Sequence, residues 1–271
     1  MGIHYKKYTI NNKSRSAFVY KSDKPWNCFT KPSSIMILRD DDKEDSVKEL
    51  LNMGLAELAD KYDIILVFPN PTDKGWNTNI SSGMTNDIEF LQTINQSVRM
   101  GIIGEEWRVT HDVHYLIAVG QATALAAAYT TLYPELTAAV ALVAGRTVSD
   151  IAIAAKNISM PSILANCSEA LISHYRRINK TNVIVVVNDS IVTYSDSTHP
   201  LHEVTVIKGE IEGLTATLVY KIWYDLFYKV RRINTSPLGN ISRRVNFEDC
   251  RFIKHLNDDR LGDNGGMAHS W

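Results

Sequence analysis

The residues Tyr115 to Tyr129 form a local pattern that could hold a nucleophile. Tyr115-Leu116-Ile117-Ala118-Val119 is an apolar run that stops at Gly120, and the alanine-rich stretch from Ala122 to Ala128 follows at once. A strand that turns sharply into a helix presents the residue at the turn, and the pattern Gly-x-Ser-x-Gly uses such a turn to expose a serine hydroxyl. Attack by that hydroxyl requires a base, a carboxylate that orients the base, and N–H donors for the oxyanion. Here Ala122 stands in the serine place and Ala124 in that of the last glycine. The geometry is implied and the oxygen is missing. Thr123 is adjacent, but its side chain leaves a turn in another direction, which argues against it as a substitute.

Other clusters point to less. His111-Asp112-Val113-His114 puts two imidazoles on opposite faces of a strand approach, so they share no metal. His199-Pro200-Leu201-His202 has no further partner at ligand spacing. The acidic run Asp40-Asp41-Asp42-Lys43-Glu44-Asp45 lacks the glycine and terminal glutamate of a calcium loop and reads as solvated. Cys28, Cys167 and Cys250 are odd in number and far apart, which fits isolated thiols rather than a disulfide framework. Neither a cofactor nor a metal is expected. With 29 basic and 30 acidic residues and a net charge of −1, there is no electrostatic case for nucleic acid. The pairs Arg231-Arg232 and Arg243-Arg244 read as solvated or ion-paired. No apolar run approaches the roughly 18 residues that suggest a membrane span. The opening Met1-Gly2-Ile3-His4-Tyr5 lacks an apolar leader, which favours a cytoplasmic over a secreted protein.

The elements that must position these residues alternate between strand and helix. Apolar runs at 34–38, 64–68, 115–119, 139–143, 162–165, 183–187 and 204–207 predict strands, and runs that are apolar throughout suit a parallel sheet covered on both faces. Helical spacing predicts helices over 46–62, from 86 or 87 onward, after Gly120, and over 214–230. Trp223, Tyr224, Phe227 and Tyr228 lie on the last of these, so some must enter the core while others could cover a second subunit. The expectation is one α/β domain over 1–271, a mostly parallel central sheet flanked by helices, with an irregular segment at 231–263.

Several segments resemble the polyhydroxybutyrate depolymerase and feruloyl-esterase-like branch of the α/β-hydrolases. They are Gly54 to Asn70, Gly75-Trp76-Asn77 with Asn86 to Leu91, the turn around Ala122, and Tyr133 to Gly145. The resemblance implies the α/β-hydrolase fold, and it implies that Gly265-Gly266-Met267-Ala268-His269 presents the base as His269. It also implies a final helix after that histidine, for which the sequence leaves no room. The loop that supplies the oxyanion donors usually begins His-Gly, and here it reads Arg39-Asp40, whose acid would oppose a developing negative charge. The triad carboxylate is expected after Ser162–Ala165. Glu169 is the nearest candidate, Ala170 stands where the family tends to have the acid, and Asp189 and Asp196 are weaker.

An engineered serine-to-alanine exchange would remove one oxygen only. Further departures at Arg39-Asp40, Ala124 and Ala170 fit a chain that kept the scaffold and lost the chemistry. The expectation is therefore a non-catalytic binding or interaction module with its pocket around Arg39, Gln121, Ala122 and His269, and with Arg39, Asp40, Gln121 and Thr123 as its binding residues. Its partner would be a small-molecule ester or a protein, with a homo-oligomer a further option. The alternative is a carboxylic-ester hydrolase of the serine type, inactivated by alanine at position 122.

Overall fold

Two nine-residue segments open the chain as a hairpin, β1 (Gly2–Ile10) and β2 (Lys13–Lys21), paired antiparallel. The residues between them, Asn11 and Asn12, have φ of 48° and 61°. Two successive positive φ values make the hairpin turn that follows strand twist, and asparagine tolerates them better than most side chains. Apolar patterning marks this hairpin only weakly: β1 is largely polar and partly exposed, and the buried run in β2 is four residues long, Ala17 to Tyr20. The structure is a computed structural model that describes residues 2–23, 32–77, 86–103, 109, 113–147, 158–233 and 240–243.

The apolar runs become β3 (Ser33–Leu38), β4 (Ile64–Pro69), β5 (His114–Val119), β6 (Ala139–Val143) and β7 (Ser162–Ala165). Three further strands follow, β8 (Val183–Asn188), β9 (Ile191–Ser195) and β10 (Val204–Ile207). All ten lie in one sheet of order β1-β2-β4-β3-β5-β6-β7-β10-β9-β8. The six strands from β4 to β10 are mutually parallel, and antiparallel pairs extend the sheet on both sides. Every residue of β3, β4, β6 and β7 is buried, as expected of strands covered on both faces.

Helices supply that cover: α1 (Glu44–Leu50), α2 (Ala56–Tyr62), α3 (Asn86–Met100), α4 (Ala122–Leu132), α5 (Glu169–Ile178) and α6 (Ala216–Ile222). The chain moves one way along the sheet from β3 to β4 and the other way from β5 onward. Right-handed crossovers then put α1 and α2 on one face and α3, α4 and α5 on the other. The packing agrees, since α3 touches α4 while the turn between α1 and α2 touches α6. That turn, Leu51–Leu55, contains Gly54 at φ 110°, and a Cβ there would meet the Tyr220 ring at 2.9 Å. The helix predicted over 46–62 is therefore broken where α6 presses against it.

Three expectations need correction. The Val-rich run forms β8 as read, but as an antiparallel edge strand exposed along its whole length, with Val186 67% exposed, rather than a covered one. Within the segment expected to be irregular, β11 (Val230–Ile233) and β12 (Asn240–Arg243) pair antiparallel. Arg232 is buried instead of solvated, and its guanidinium donates to the carbonyls of Thr137 and Ser159, both at 2.7 Å. A helix, α6, follows the last parallel strand. Of the four aromatic residues that follow it, Trp223 and Phe227 enter the core while Tyr224 stays exposed.

His174 on α5 is buried, with Nε2 3.2 Å from Thr131 Oγ1. Desolvation, helped by Arg177, pushes its pKa down to about 4. The unfolded chain, with a histidine pKa near 6.5, then takes up the proton first. The stability tied to neutral His174 is complete above about pH 6.5 and is lost as pH falls toward about 4. We expect His174→Gln to lose less stability than the wild type over that interval in urea titrations. Equal losses would show that His174 does not carry this acid sensitivity.

Candidate functional site

Ligands of open parallel sheets bind beyond the carboxyl ends of the strands, where the strand order reverses. Here the reversal lies between β3 and β5, so the loop after β3 and the turn before α4 meet at that crevice. The turn is tight. Gly120 has φ 64° and donates its N–H to Val143 O at 2.9 Å, and Ala122 is already the first residue of α4. Ala122 is fully buried. Of residues 120 to 124, Gly120 alone has positive φ, so the strained turn on which a nucleophile would stand falls at Gly120, and Ala122, read above as that place, is buried, relaxed helix instead.

Asp40 closes this turn. Its Oδ2 accepts the Gln121 N–H at 2.9 Å and its Oδ1 accepts the Ala122 N–H at 3.0 Å. The free N–H groups and dipole of a helix N-terminus attract an anion, and here a side chain from the β3 loop supplies it. A Cβ on Gly120 would come within 2.4 Å of Asp40 Oδ2, so the glycine is needed for close approach as well as for its φ. The Thr123 hydroxyl donates to Gly120 O at 2.6 Å and its N–H to the same oxygen at 3.3 Å. The first three amides past the glycine are all occupied from within the protein.

A buried polar network holds the Asp40 loop in place. Arg39 donates through Nη1 to the carbonyls of Asp41 (2.6 Å) and Lys43 (3.2 Å), and through Nη2 to Asn70 Oδ1 (2.9 Å). Burial lowers the Arg39 pKa, and Asp41 opposes that fall. Trp76 Nε1 donates to Arg39 O at 2.7 Å. Asn70 also donates to Ser16 Oγ, and its carbonyl accepts from Arg15. Arg15 pairs with buried Asp87 and lies 4.3 Å from the centre of the Phe90 ring. Asp87 in turn accepts the N–H of Asn77. The Trp76-Asn77 segment was visible in the sequence, whereas Arg15, Asn70 and Asp87 were not singled out, since nothing in their spacing joins them.

The remaining site residues scatter. Arg39 is buried in its own loop, and Gln121 is exposed beside Asp40. Glu169 is the exposed first residue of α5 and accepts from Ser173 one turn on. His269 lies outside the described residues, as do His111, Asp112, Cys28 and Cys250. Described loops at the carboxyl edge (39–43, 70–77, 120–121, 144–147, 166–168 and 208–215) contain no histidine. Cys167 sits in one of them, donating to Leu142 O, and burial pushes its pKa up to about 11, far from a reactive thiolate. A serine–histidine contact does exist, Ser34 Oγ with His114 Nδ1, but both are buried near the amino ends of β3 and β5, away from the crevice.

A cleft of about 460 Å³ opens at the same edge, beyond β4. Lys13, Arg15, Lys74, Trp76 and Asp87 line it, whereas Gln121 and Ala122 do not. Its volume is that of a small-molecule site, and Trp76 forms part of one wall. Trp76 also bonds the Arg39 carbonyl, so the cleft and the crevice share a partition. At the opposite edge of the sheet, Asp196 joins the His199 and His202 pair, which the sequence left without a third partner.

No family model matches the chain, and no curated protein does. Solved structures do match. An acetyl xylan esterase from Aspergillus awamori superposes with a TM-score of 0.60 at 8% identity, covering 82% of this chain and 98% of that one. A lipase/esterase from Lactobacillus plantarum matches 66% of this chain and 84% of its own at 12% identity, with a TM-score of 0.45. The architecture is the α/β-hydrolase fold.

The contact between Asp40 and Gly120 can be tested by stability. Asp40→Ala removes a helix cap and is expected to cost about 1 kcal/mol. Gly120→Ala imposes a positive φ on alanine and drives a methyl into the carboxylate, at a cost of about 2–3 kcal/mol. In the double variant the clash has no partner, so denaturant titration should show a loss smaller than the sum of the two. Strict additivity would separate the two residues.

Proposed function

We propose that this chain is a non-catalytic binding or interaction module on an esterase-like α/β-hydrolase scaffold. The reading rests chiefly on one observation, the Asp40 carboxylate on the amides of Gln121 and Ala122. Donors of that kind stabilise an acyl-transfer oxyanion only when they are free and face no fixed negative charge. Neither Gly120, which takes the strained turn, nor Ala122 offers an attacking oxygen. Restoring a serine would leave the Asp40 carboxylate where charge must develop.

Two further features support a lapsed triad. The loop after β7 reads Asn166-Cys167-Ser168, without a carboxylate, and Glu169 is committed to the first turn of α5. The loop after β10 reads Lys208-Gly209-Glu210-Ile211-Glu212-Gly213, without an imidazole. The described loops at this edge offer no base, and the His269 assignment rests on its glycine-rich context alone. The depolymerase and feruloyl-esterase-like branch is supported by the segments around Trp76, Ala122 and Tyr133–Gly145. In this reading the ligand, a small ester or an exposed segment of a protein partner, enters the cleft beside Trp76 rather than the crevice at Ala122.

Hydrolysis of 4-nitrophenyl acetate by the wild type, by Ala122→Ser and by Gly120→Ser, measured side by side, tests the proposal. We expect all three to stay at the buffer rate while circular dichroism shows the variants folded. Turnover by either serine variant would establish the other reading, an esterase that lacks only its nucleophile.

A further inference from the structure

Residues 196–203 join β9 to β10 at the amino edge of the parallel strands, across the sheet from the Ala122 crevice. Two successive tight turns shape the connection, His199 N–H to Asp196 O at 3.2 Å and His202 N–H to His199 O at 2.9 Å. Turns closed at every third residue bring residues 196, 199 and 202 to one side. The imidazoles of His199 and His202 lie 4.9 Å apart and 9° from parallel. One ligand atom from each of Asp196, His199 and His202 falls within 4.8 Å of the others. We propose that these three residues bind a divalent transition metal of the zinc and cobalt class.

The supporting contacts are those of a held ligand set. Asp196 is buried, and its Oδ1 accepts from both the N–H (2.9 Å) and the hydroxyl (2.7 Å) of Thr198, which fixes the carboxylate and turns Oδ2 toward His199 Nδ1 at 3.1 Å. His202 Nδ1 lies 3.1 Å from Ser159 Oγ, on the segment that leads into β7. A metal-binding histidine ordinarily has its other ring nitrogen occupied in this way, which sets the ring and leaves Nε2 for the ion. His199 is exposed and can swing about its side-chain bonds to close the set. Two nitrogens and one oxygen suit zinc, cobalt, nickel or copper better than calcium or magnesium, which take oxygen donors. Three protein ligands at a surface also leave a coordination position open to solvent.

Two cations bear on the site. Lys180 and Arg232 both act on His202, and their charge opposes an incoming dication. Arg232 is committed to the carbonyls of Thr137 and Ser159 and stays in place. Binding is therefore expected to be weaker than at an all-cysteine structural site.

The test is calorimetric titration of the full chain, stripped with chelator, with zinc chloride, alongside His199→Ala, Asp196→Asn and His202→Ala. His199 is exposed, so its substitution leaves the fold intact, and asparagine keeps the oxygen that Thr198 needs. We expect one zinc per wild-type chain, with each variant at least tenfold weaker, and a zinc-dependent rise in melting temperature that His199→Ala abolishes. Cobalt(II) should give the intense visible bands of a low-symmetry site in the wild type only. Absence of stoichiometric binding by the wild type, or binding that all three variants retain unchanged, would overturn the proposal. Neither result depends on whether the chain hydrolyses esters.

Discussion

The carboxylate of Asp40 bridges two segments far apart in sequence, and the character of the crevice follows from that contact. A helix that begins immediately after a parallel strand leaves its first N–H groups aimed at the carboxyl edge of the sheet. Something anionic must sit there. In an acyl-transfer enzyme the developing oxyanion fills that role for the moment of reaction. In this chain a permanent charge fills it, bonded to Gln121 and Ala122, and Gly120 is the residue that lets it approach. The glycine at the turn and the acid in the β3 loop are thus two sides of one arrangement.

The cost of holding Asp40 is spread over buried polar groups that no single local motif announces. Arg39, Asn70, Arg15 and Asp87 come from four different elements, and each satisfies the next. Removal of any one would leave a buried charge or amide short of a hydrogen bond, at a cost of about 1–3 kcal/mol. The network also forms the wall between the crevice and the cleft beside Trp76.

The core of the fold was legible in the sequence because its strands are apolar without interruption. β6, β7 and β10 coincide with the runs read at 139–143, 162–165 and 204–207. Elements at the margins were not legible for the same reason in reverse. β1 and β2 carry lysines and tyrosines on a partly exposed hairpin, and only the Asn11-Asn12 turn marked them. β8 looked like a core strand, since a run of valines cannot reveal whether anything covers it. At the crevice, Arg39 and Asp40 were visible as departures, but their partners Asn70 and Arg15 are joined by tertiary packing alone. The set formed by Asp196, His199 and His202 needed backbone turns that put three residues on one side, which spacing in a flexible loop does not specify.

Asp40, and not an incoming ligand, satisfies the N-terminus of α4. Amide hydrogen exchange at Gln121 and Ala122 measures this directly, because the first amides of an uncapped helix exchange as if unprotected. Both should be protected in the wild type and lose that protection in Asp40→Ala, with amides from Leu125 onward unchanged. Rapid exchange at both positions in the wild type would contradict it, and would return the crevice to an open anion site.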